Sequence, residues 1–269
     1  MMDPVKINGI VLIKDEDLFI EQVLINILSF CDRIIIADNR SRDNTTKISR
    51  SFSERHRHIS YFNIASPSVS HDLIKPYAGT KSWIFGVDGD ELFDPIGLAK
   101  LKAKLVAGAF KDQWMILGNV LNVIKFDRQS MTASGYLAPP CRSMTKLYNF
   151  RLIKTWKGPC SERLHGGEID FKSGYGRELR CDLFRKSTWE DALFRCLHMC
   201  FLRRSSLEPT DADQLCARKN IAELELEKLP RKILTNMRKI MRIPETSTLK
   251  REKYMRGDLV EKDVASFFK

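Results

Sequence analysis

Three carboxylates fall within four residues at Asp88-Gly89-Asp90-Glu91, directly after the apolar run Ser82 to Val87. Like charges this close repel one another, and burying them unpaired is costly. A divalent cation removes the difficulty. Asp88 and Asp90 have the spacing to reach one hard cation, and Gly89 lets the backbone turn tightly between them and admits a ligand. Mg²⁺ or Mn²⁺ held there keeps positions open for diphosphate oxygens and offsets the charge that grows on a departing group. The plainer alternative is a solvated acidic turn that caps the next helix. For an isolated DGDE that alternative is the better one, but the apolar strand in front of it favours a site.

A second polar cluster is Asp38-Asn39-Arg40-Ser41-Arg42-Asp43-Asn44-Thr45, which follows the apolar run Arg33 to Ala37. Asp38 has the chemistry to accept hydrogen bonds from a nucleobase or a ribose. The alternative is a polar loop whose Asp43 or Thr45 caps the next helix.

Both clusters need elements to position them. Ile7 to Ile13, Arg33 to Ala37 and Ser82 to Val87 read as buried strands, and Ile59 to Ile64 as a weaker one. Asp17 to Phe30, Thr45 to Arg55 and Ile96 to Ala107 carry apolar residues at helical spacing, the last opened by Asp94-Pro95 as cap and first turn. Trp114 to Val123 is a further strand candidate. Strands alternating with helices predict an α/β fold with a mostly parallel sheet, and ligands in such sheets bind beyond the C-terminal strand ends. Two of these strands end in carboxylates, Asp38 and Asp88. Beyond Asp127 the pattern is less regular. Leu147 to Ile153 reads as a strand, Glu190 to Arg203 as a helix or strand carrying His198, and the chain from about Asp211 as helical.

The chain has 269 residues, 43% of them apolar, enough for one large domain with a helical tail. Its net charge of +11 favours anionic partners. Between Lys228 and Arg256 there are ten Lys or Arg against two acids, Glu245 and Glu252, a net +8. Such a run is either a solvated helical face or a patch that docks on an anionic membrane or a phosphorylated acceptor. No helix-turn-helix, zinc-finger or RNA-binding signature accompanies it, which argues against nucleic acid. Seven cysteines, an odd number without a CxxC pair, read as reduced thiols. No basic leader with a long apolar core opens the sequence, and no apolar run approaches the roughly 20 residues that span a bilayer. The expectation is a cytoplasmic protein, at most peripheral on the inner face of a membrane.

Three segments together resemble the family 2 glycosyltransferases, whose nucleotide-sugar-binding fold is called GT-A. They are Val11-Leu12-Ile13-Lys14-Asp15-Glu16, the stretch from Cys31 to Thr45 that contains Asp38-Asn39-Arg40-Ser41-Arg42-Asp43, and Trp83 to Phe93 with its DxD motif. The match covers roughly residues 7 to 95. The resemblance implies a nucleotide diphosphate sugar donor, a hydroxyl acceptor on a glycan or lipid carrier, and Mn²⁺ or Mg²⁺. Transfer would proceed by one inverting displacement with a carboxylate base, in cell-surface glycan or lipopolysaccharide-type synthesis. It implies that Lys14, Asp15, Glu16, Asp38, Arg40, Asp88 and Gly89 bind the nucleotide sugar, and that Asp90 is the firmest metal ligand with Asp88 beside it. Residues 1–125 would be the donor half, 126–208 the acceptor half of the same domain, and 209–269 a helical basic extension. Arg40 and Asn44 depart from the family, which often has small residues or Gly there.

The base and the rest of the metal shell must come from beyond Asp127. Trp156-Lys157-Gly158-Pro159-Cys160-Ser161-Glu162 looks like the acceptor-side segment of some members, so Glu162 is the first candidate for general base. Its rival reading is a salt bridge with Arg163, and Glu168 and Asp170 are alternative bases. His198 is the candidate to complete the metal shell, since imidazole suits Mn²⁺; a hydrogen-bonded core histidine is the alternative. His165 is a weaker metal candidate, and His71 a candidate to line the nucleotide pocket. Trp156 and Tyr136 are candidates to stack on a sugar or to fill the core. The competing class is a basic membrane- or nucleic-acid-binding module on a degenerate sugar-nucleotide fold. Nucleotidyl transfer is disfavoured, because Lys14-Asp15-Glu16-Asp17 is not a Gly-rich basic loop.

Overall fold

The computed structural model describes residues 4–141, 146–209 and 249–268. Lys6–Ile13 (β1) is buried along all but its first residue, as an unbroken apolar run in the middle of a sheet must be. It pairs in parallel with Arg33–Asp38 (β2) on one side and Ser82–Asp88 (β4) on the other. Ile59–Asn63 (β3) extends the parallel half beyond β2. The connecting helices are Ile20–Ile27 (α1), Thr45–Arg55 (α2) and the short Val69–Ile74 (α3). Helix α1 begins three residues later than its apolar spacing predicts. Asp17 is drawn out of the helix by accepting hydrogen bonds from the backbone N–H groups of Asn44 and Ser206.

The expected mostly parallel sheet is observed: six of its seven strands run in one direction, and one is reversed. On the far side of β4, Lys146–Asn149 (β9) runs antiparallel to both of its neighbours, β4 and Met115–Leu117 (β6), and Arg180–Asp182 (β12) closes that edge in parallel with β6. The order of the seven strands is β12-β6-β9-β4-β1-β2-β3. Helix Pro95–Val106 (α4) starts as the sequence predicts, with the Asp94 carboxylate accepting from the Ile96 N–H at 3.0 Å.

A second sheet has the order β14-β8-β7-β13-β5, built from Leu259–Asp263 (β14), Thr132–Ala138 (β8), Asn119–Asp127 (β7), Arg195–His198 (β13) and Glu91–Phe93 (β5). The single strand expected over Trp114 to Val123 therefore breaks at Gly118 into β6 and β7, one in each sheet. The boundary expected at residue 125 falls inside β7. Likewise the strand expected over Leu147 to Ile153 stops at Asn149, whose side chain accepts from the Arg151 N–H and turns the chain into a 3-10 turn. Ile153–Glu162 (β10) and His165–Phe171 (β11) form a separate two-stranded hairpin. Phe85 of β4 packs 4.6 Å from Phe93 of β5 and 5.7 Å from Phe194, joining the cores of the two sheets.

Most of the basic segment, from residue 210 to 248, lies outside the described residues. Its described end is a one-and-a-half-turn helix, Leu249–Tyr254 (α5), followed by β14, which pairs with β8. The C-terminal region is thus not purely helical. No described helix is long and apolar enough to cross a membrane. Six cysteines are free and buried among the described residues.

Candidate functional site at the switch point of the parallel sheet

From β1 the chain steps to β2 and β3 on one side and to β4 on the other. The strand order reverses between β1 and β4, and the crevice outside such a reversal is where open α/β sheets bind ligands. The end of β1 supplies Lys14, Asp15 and Glu16. The end of β4 supplies Asp88, Gly89 and Asp90. The two loops touch: a Cβ added to Gly89 would lie 2.1 Å from a Glu16 carboxylate oxygen and 2.9 Å from Ile13. A larger residue here would have to displace the Glu16 and Ile13 side chains. Gly89→Ala is therefore expected to cost about 1–3 kcal/mol through overpacking, read as a fall in the thermal midpoint of several degrees. An unchanged midpoint would show that the loops part freely.

The acidic cluster is buried unevenly. Asp90 is 1% exposed, whereas Asp88 keeps part of its carboxylate at the surface. Each meets a different guanidinium. Arg204 ion-pairs with Asp90, and the same Nη1 lies 3.3 Å from Glu16. Arg163 reaches Asp88 at 2.5 Å and also donates to the Val87 carbonyl. Glu91 accepts from the Asp88 N–H at 3.1 Å. Burial, and then the Asp88 charge, push the Glu91 carboxyl well above the usual carboxylate range. Glu91 supports the turn from behind, as its place one residue past the motif suggests.

His198 reaches the cluster from β13. Its Nδ1 lies 2.9 Å from the Asn122 side-chain oxygen, and the Asn122 amide nitrogen donates to the Tyr136 carbonyl. Asn122 Oδ1 is thus an acceptor, so Nδ1 carries the proton. The His198 Nε2 sits 3.8 Å from Asp90 Oδ2. Two atoms bound to one cation at about 2.1 Å lie at most about 4.2 Å apart, so Asp90 and His198 fit a shared Mn²⁺ or Mg²⁺. The Arg204 guanidinium on the same carboxylate shows that the position takes positive charge. Among the described residues no three His, Cys, Asp or Glu side chains gather to ligate a metal. One or two protein ligands are nonetheless the ordinary provision for a cation that substrate phosphates complete. Asp88, turned to Arg163, is not gathered with Asp90 onto one point.

Beside this crevice the β1 and β2 loops are laced together. Asp15 N–H donates to Ser41, and the Asp15 carboxylate accepts from Arg42 at 2.6 Å. Asp38 is fully buried, and its oxygens accept from the Ser41 N–H and hydroxyl, Thr46 and Tyr61. Its carboxylate shapes the loop and does not face the crevice. Arg40 is exposed and left-handed, with φ +58°. That backbone is one that glycine adopts more readily than arginine, and the Arg40 side chain stands out at the loop tip.

Arg163 sits in the tight turn between β10 and β11. Ser70 Oγ accepts from its N–H, and His71 bonds to its carbonyl at 2.7 Å, so α3 anchors the hairpin. His71 thus braces the hairpin and does not line a pocket, and Trp156 is buried with its indole N–H donating to Gly166. Glu162 is ion-paired, 3.6 Å from Arg163 and 3.0 Å from His165. Burial alone would raise its carboxyl, but Arg163, His165 and Lys146 outweigh burial and hold it down at about 2. A carboxylate held so low is a weak proton acceptor.

The sequence reading did not assign Arg204, Arg163 or Asn122 to the site. In the sequence Arg163 reads only as a salt-bridge partner for Glu162. Asn122, a polar residue inside an apolar strand, was a signal available in advance. Nothing local marks Arg204.

No protein-family model matches the chain, and neither does any curated protein sequence. Among solved structures it is similar to a mannosyltransferase from Pyrobaculum calidifontis in complex with GDP-Man and Mn²⁺, at 18% identity and a TM-score of 0.32, over 46% of this chain and 36% of that one. It is similar to glucosyl-3-phosphoglycerate synthase from Mycobacterium tuberculosis in complex with Mn²⁺, UDP and glucosyl-3-phosphoglycerate, at 16% identity and 0.33, over 55% and 58%. A mannose-6-phosphate isomerase from Helicobacter pylori scores 0.33 at 9% identity, over 54% and 71%. The chain spans about a third to about three fifths of the length of the first two. Likenesses this partial do not assign an activity.

Proposed function

We propose that this protein transfers a sugar from a nucleotide diphosphate sugar to a hydroxyl acceptor. The reading rests on one observation: at the switch point of a parallel sheet, two neighbouring carboxylates each meet a guanidinium, Asp88 with Arg163 and Asp90 with Arg204, and His198 approaches Asp90. Asp90 and His198 have the donor atoms for Mn²⁺ or Mg²⁺. Arg163 and Arg204 have the charge and planar donors that phosphate oxygens take. A cation and a diphosphate together satisfy this alternation of charge better than either alone. The bound cation would supply Lewis-acid neutralisation of the departing nucleoside diphosphate. Lys14, Asp15 and Glu16 wall the crevice on the β1 side, with the loop of Asp38 and Arg40 next to it. Displacement by a hydroxyl aligned on the opposite face inverts the anomeric centre and gains chiefly from orientation. The hairpin carrying Glu162 is the acceptor side. A lipid-linked or lipopolysaccharide-type glycan acceptor, met at an anionic membrane surface by the 228–256 segment, completes the proposal.

A thermal-shift screen tests it. UDP-, GDP- and dTDP-sugars, and the free diphosphates, are added with and without Mn²⁺. One of them with Mn²⁺ is expected to raise the midpoint by several degrees, since ligand at 100 times Kd adds about 2.7 kcal/mol. No shift from any of them, with salt-sensitive binding to RNA, DNA or anionic vesicles, would instead favour a binding module on a degenerate fold.

A further inference from the structure

We infer that His165, oriented by Glu162, is the group that takes the proton from the acceptor hydroxyl; the inference rests on the glycosyl-transfer reading above. Residues 162 and 165 face each other across the first pair of the β10–β11 hairpin, joined by the two-residue turn Arg163-Leu164. His165 Nδ1 lies 3.0 Å from Glu162 Oε1. Glu162 is ionised, so it accepts, and Nδ1 must carry the proton. The neutral ring then has its lone pair on Nε2. The His165 side chain is 48% exposed, so the ring meets solvent.

The pair is also linked to the strand-end cluster. A single Arg163 nitrogen contacts both Asp88 on the donor side, at 2.5 Å, and Glu162, at 3.6 Å. The histidine is therefore tied to the donor-side aspartate through one guanidinium. The charged groups around the pair are Arg163 in the turn, Lys146 on β9, and Lys253 on α5 behind Lys146. These cations keep Glu162 a carboxylate, which makes it a poor base and a good counter-charge.

The step balances without another reactant. The acceptor oxygen forms its bond to the anomeric carbon as its proton passes to Nε2. The bond from that carbon to the phosphate oxygen breaks, and its electron pair leaves with the nucleoside diphosphate. The imidazolium that results is stabilised by Glu162, a positioning residue in this scheme. The arrangement resembles other sites in which a carboxylate fixes the tautomer of a histidine base.

The experiment uses the full chain and the sugar nucleotide selected from the UDP-, GDP- and dTDP-sugar panel. Release of diphosphate is followed with water or glycerol as acceptor. His165→Gln keeps a donor to Glu162 but cannot accept a proton. It is expected to lower kcat by about 10²–10³-fold, with the donor KM and the nucleotide-induced thermal shift unchanged. In His165→Ala, added imidazole restores part of the rate, because the ring position opens to solvent. Glu162→Gln lowers kcat less, because Glu162 only orients the ring and offsets its charge. A purely structural role for either residue would move none of these readouts. Nucleotide binding intact with kcat of His165→Gln within about threefold of wild type would overturn the assignment of His165 alone. Wild-type protein that neither binds nor cleaves any of the sugar nucleotides would overturn the transfer reading and this assignment with it.

Discussion

Replacing Asp90 with Asn will abolish the Mn²⁺-dependent thermal shift and lower turnover by about 10³-fold, equivalent to about 4 kcal/mol of transition-state stabilisation. Asp90 is the most deeply buried carboxylate of the motif, and its Oδ2 is the atom that both Arg204 and His198 Nε2 approach. Asn keeps the size and one acceptor oxygen but removes the charge, so the cation loses its strongest protein ligand. The substitution also leaves Arg204 with Glu16 in place of two carboxylates at this point. Some loss of stability accompanies the loss of activity, and Asn, which still accepts from Arg204, limits it better than Ala. Activity and the thermal shift are therefore measured on the same preparation, below its unfolding midpoint. Full activity in EDTA, or in Asp90→Asn, would sink the metal assignment.

Replacing Arg163 with Met will be the most destabilising single change in the site, by about 3–5 kcal/mol. Its side chain is only 5% exposed, and it donates to the Val87 carbonyl while facing Asp88, Glu162 and Glu91. Met fills much of the space and leaves those acids without their common cation. A fall in the thermal midpoint on the order of 10 °C is expected for a chain of this size. Arg163→Met/Asp88→Asn should recover part of the loss, since the two residues are in direct contact. The effect also has a pH signature. Glu162 has its carboxyl lowered to about 2 from 4.5. The folded state therefore holds the proton less tightly than the unfolded one. That contribution is fully present above 4.5 and is lost as pH falls through about 2. The stability gap between wild type and Arg163→Met should narrow across that window in urea titrations. A gap that stays constant in acid would mean the cost is packing, not charge.

The contact of Arg163 with Asp88 forms only on folding, and the site divides in the same way throughout. The strands β1, β2 and β4 were legible because each is an apolar run bounded by polar residues, and burial on both faces of a parallel sheet demands that pattern. Asp88, Gly89 and Asp90 were legible because they end such a strand, where a ligand crevice must lie. Helix α4 was legible from Asp94-Pro95, since a cap and a fixed φ act within a few residues. Arg40 was legible as a departure, and its left-handed backbone supplies the reason.

Other features depended on contacts across large sequence separations. Trp114 to Val123 looks like one strand because periodicity does not record which sheet a residue joins. The antiparallel β9 enters between β4 and β6 from more than 50 residues downstream of β4, which no local pattern encodes. Asp38 sits at a strand end as expected, yet Ser41, Thr46 and Tyr61 take up its oxygens. Glu162 and Arg163 were recognisable as a possible pair, but only the hairpin turn brings His165 onto the same carboxylate. The amino-acid sequence by itself determined most of the elements and the strand-end carboxylates, because apolar periodicity and strand-end polarity are local. The tertiary structure alone decided which cation meets which acid. Arg163 and Arg204 reach Asp88 and Asp90 from 75 and 114 residues away, and pairing at that range is fixed by the packing of sheets and not by neighbouring residues.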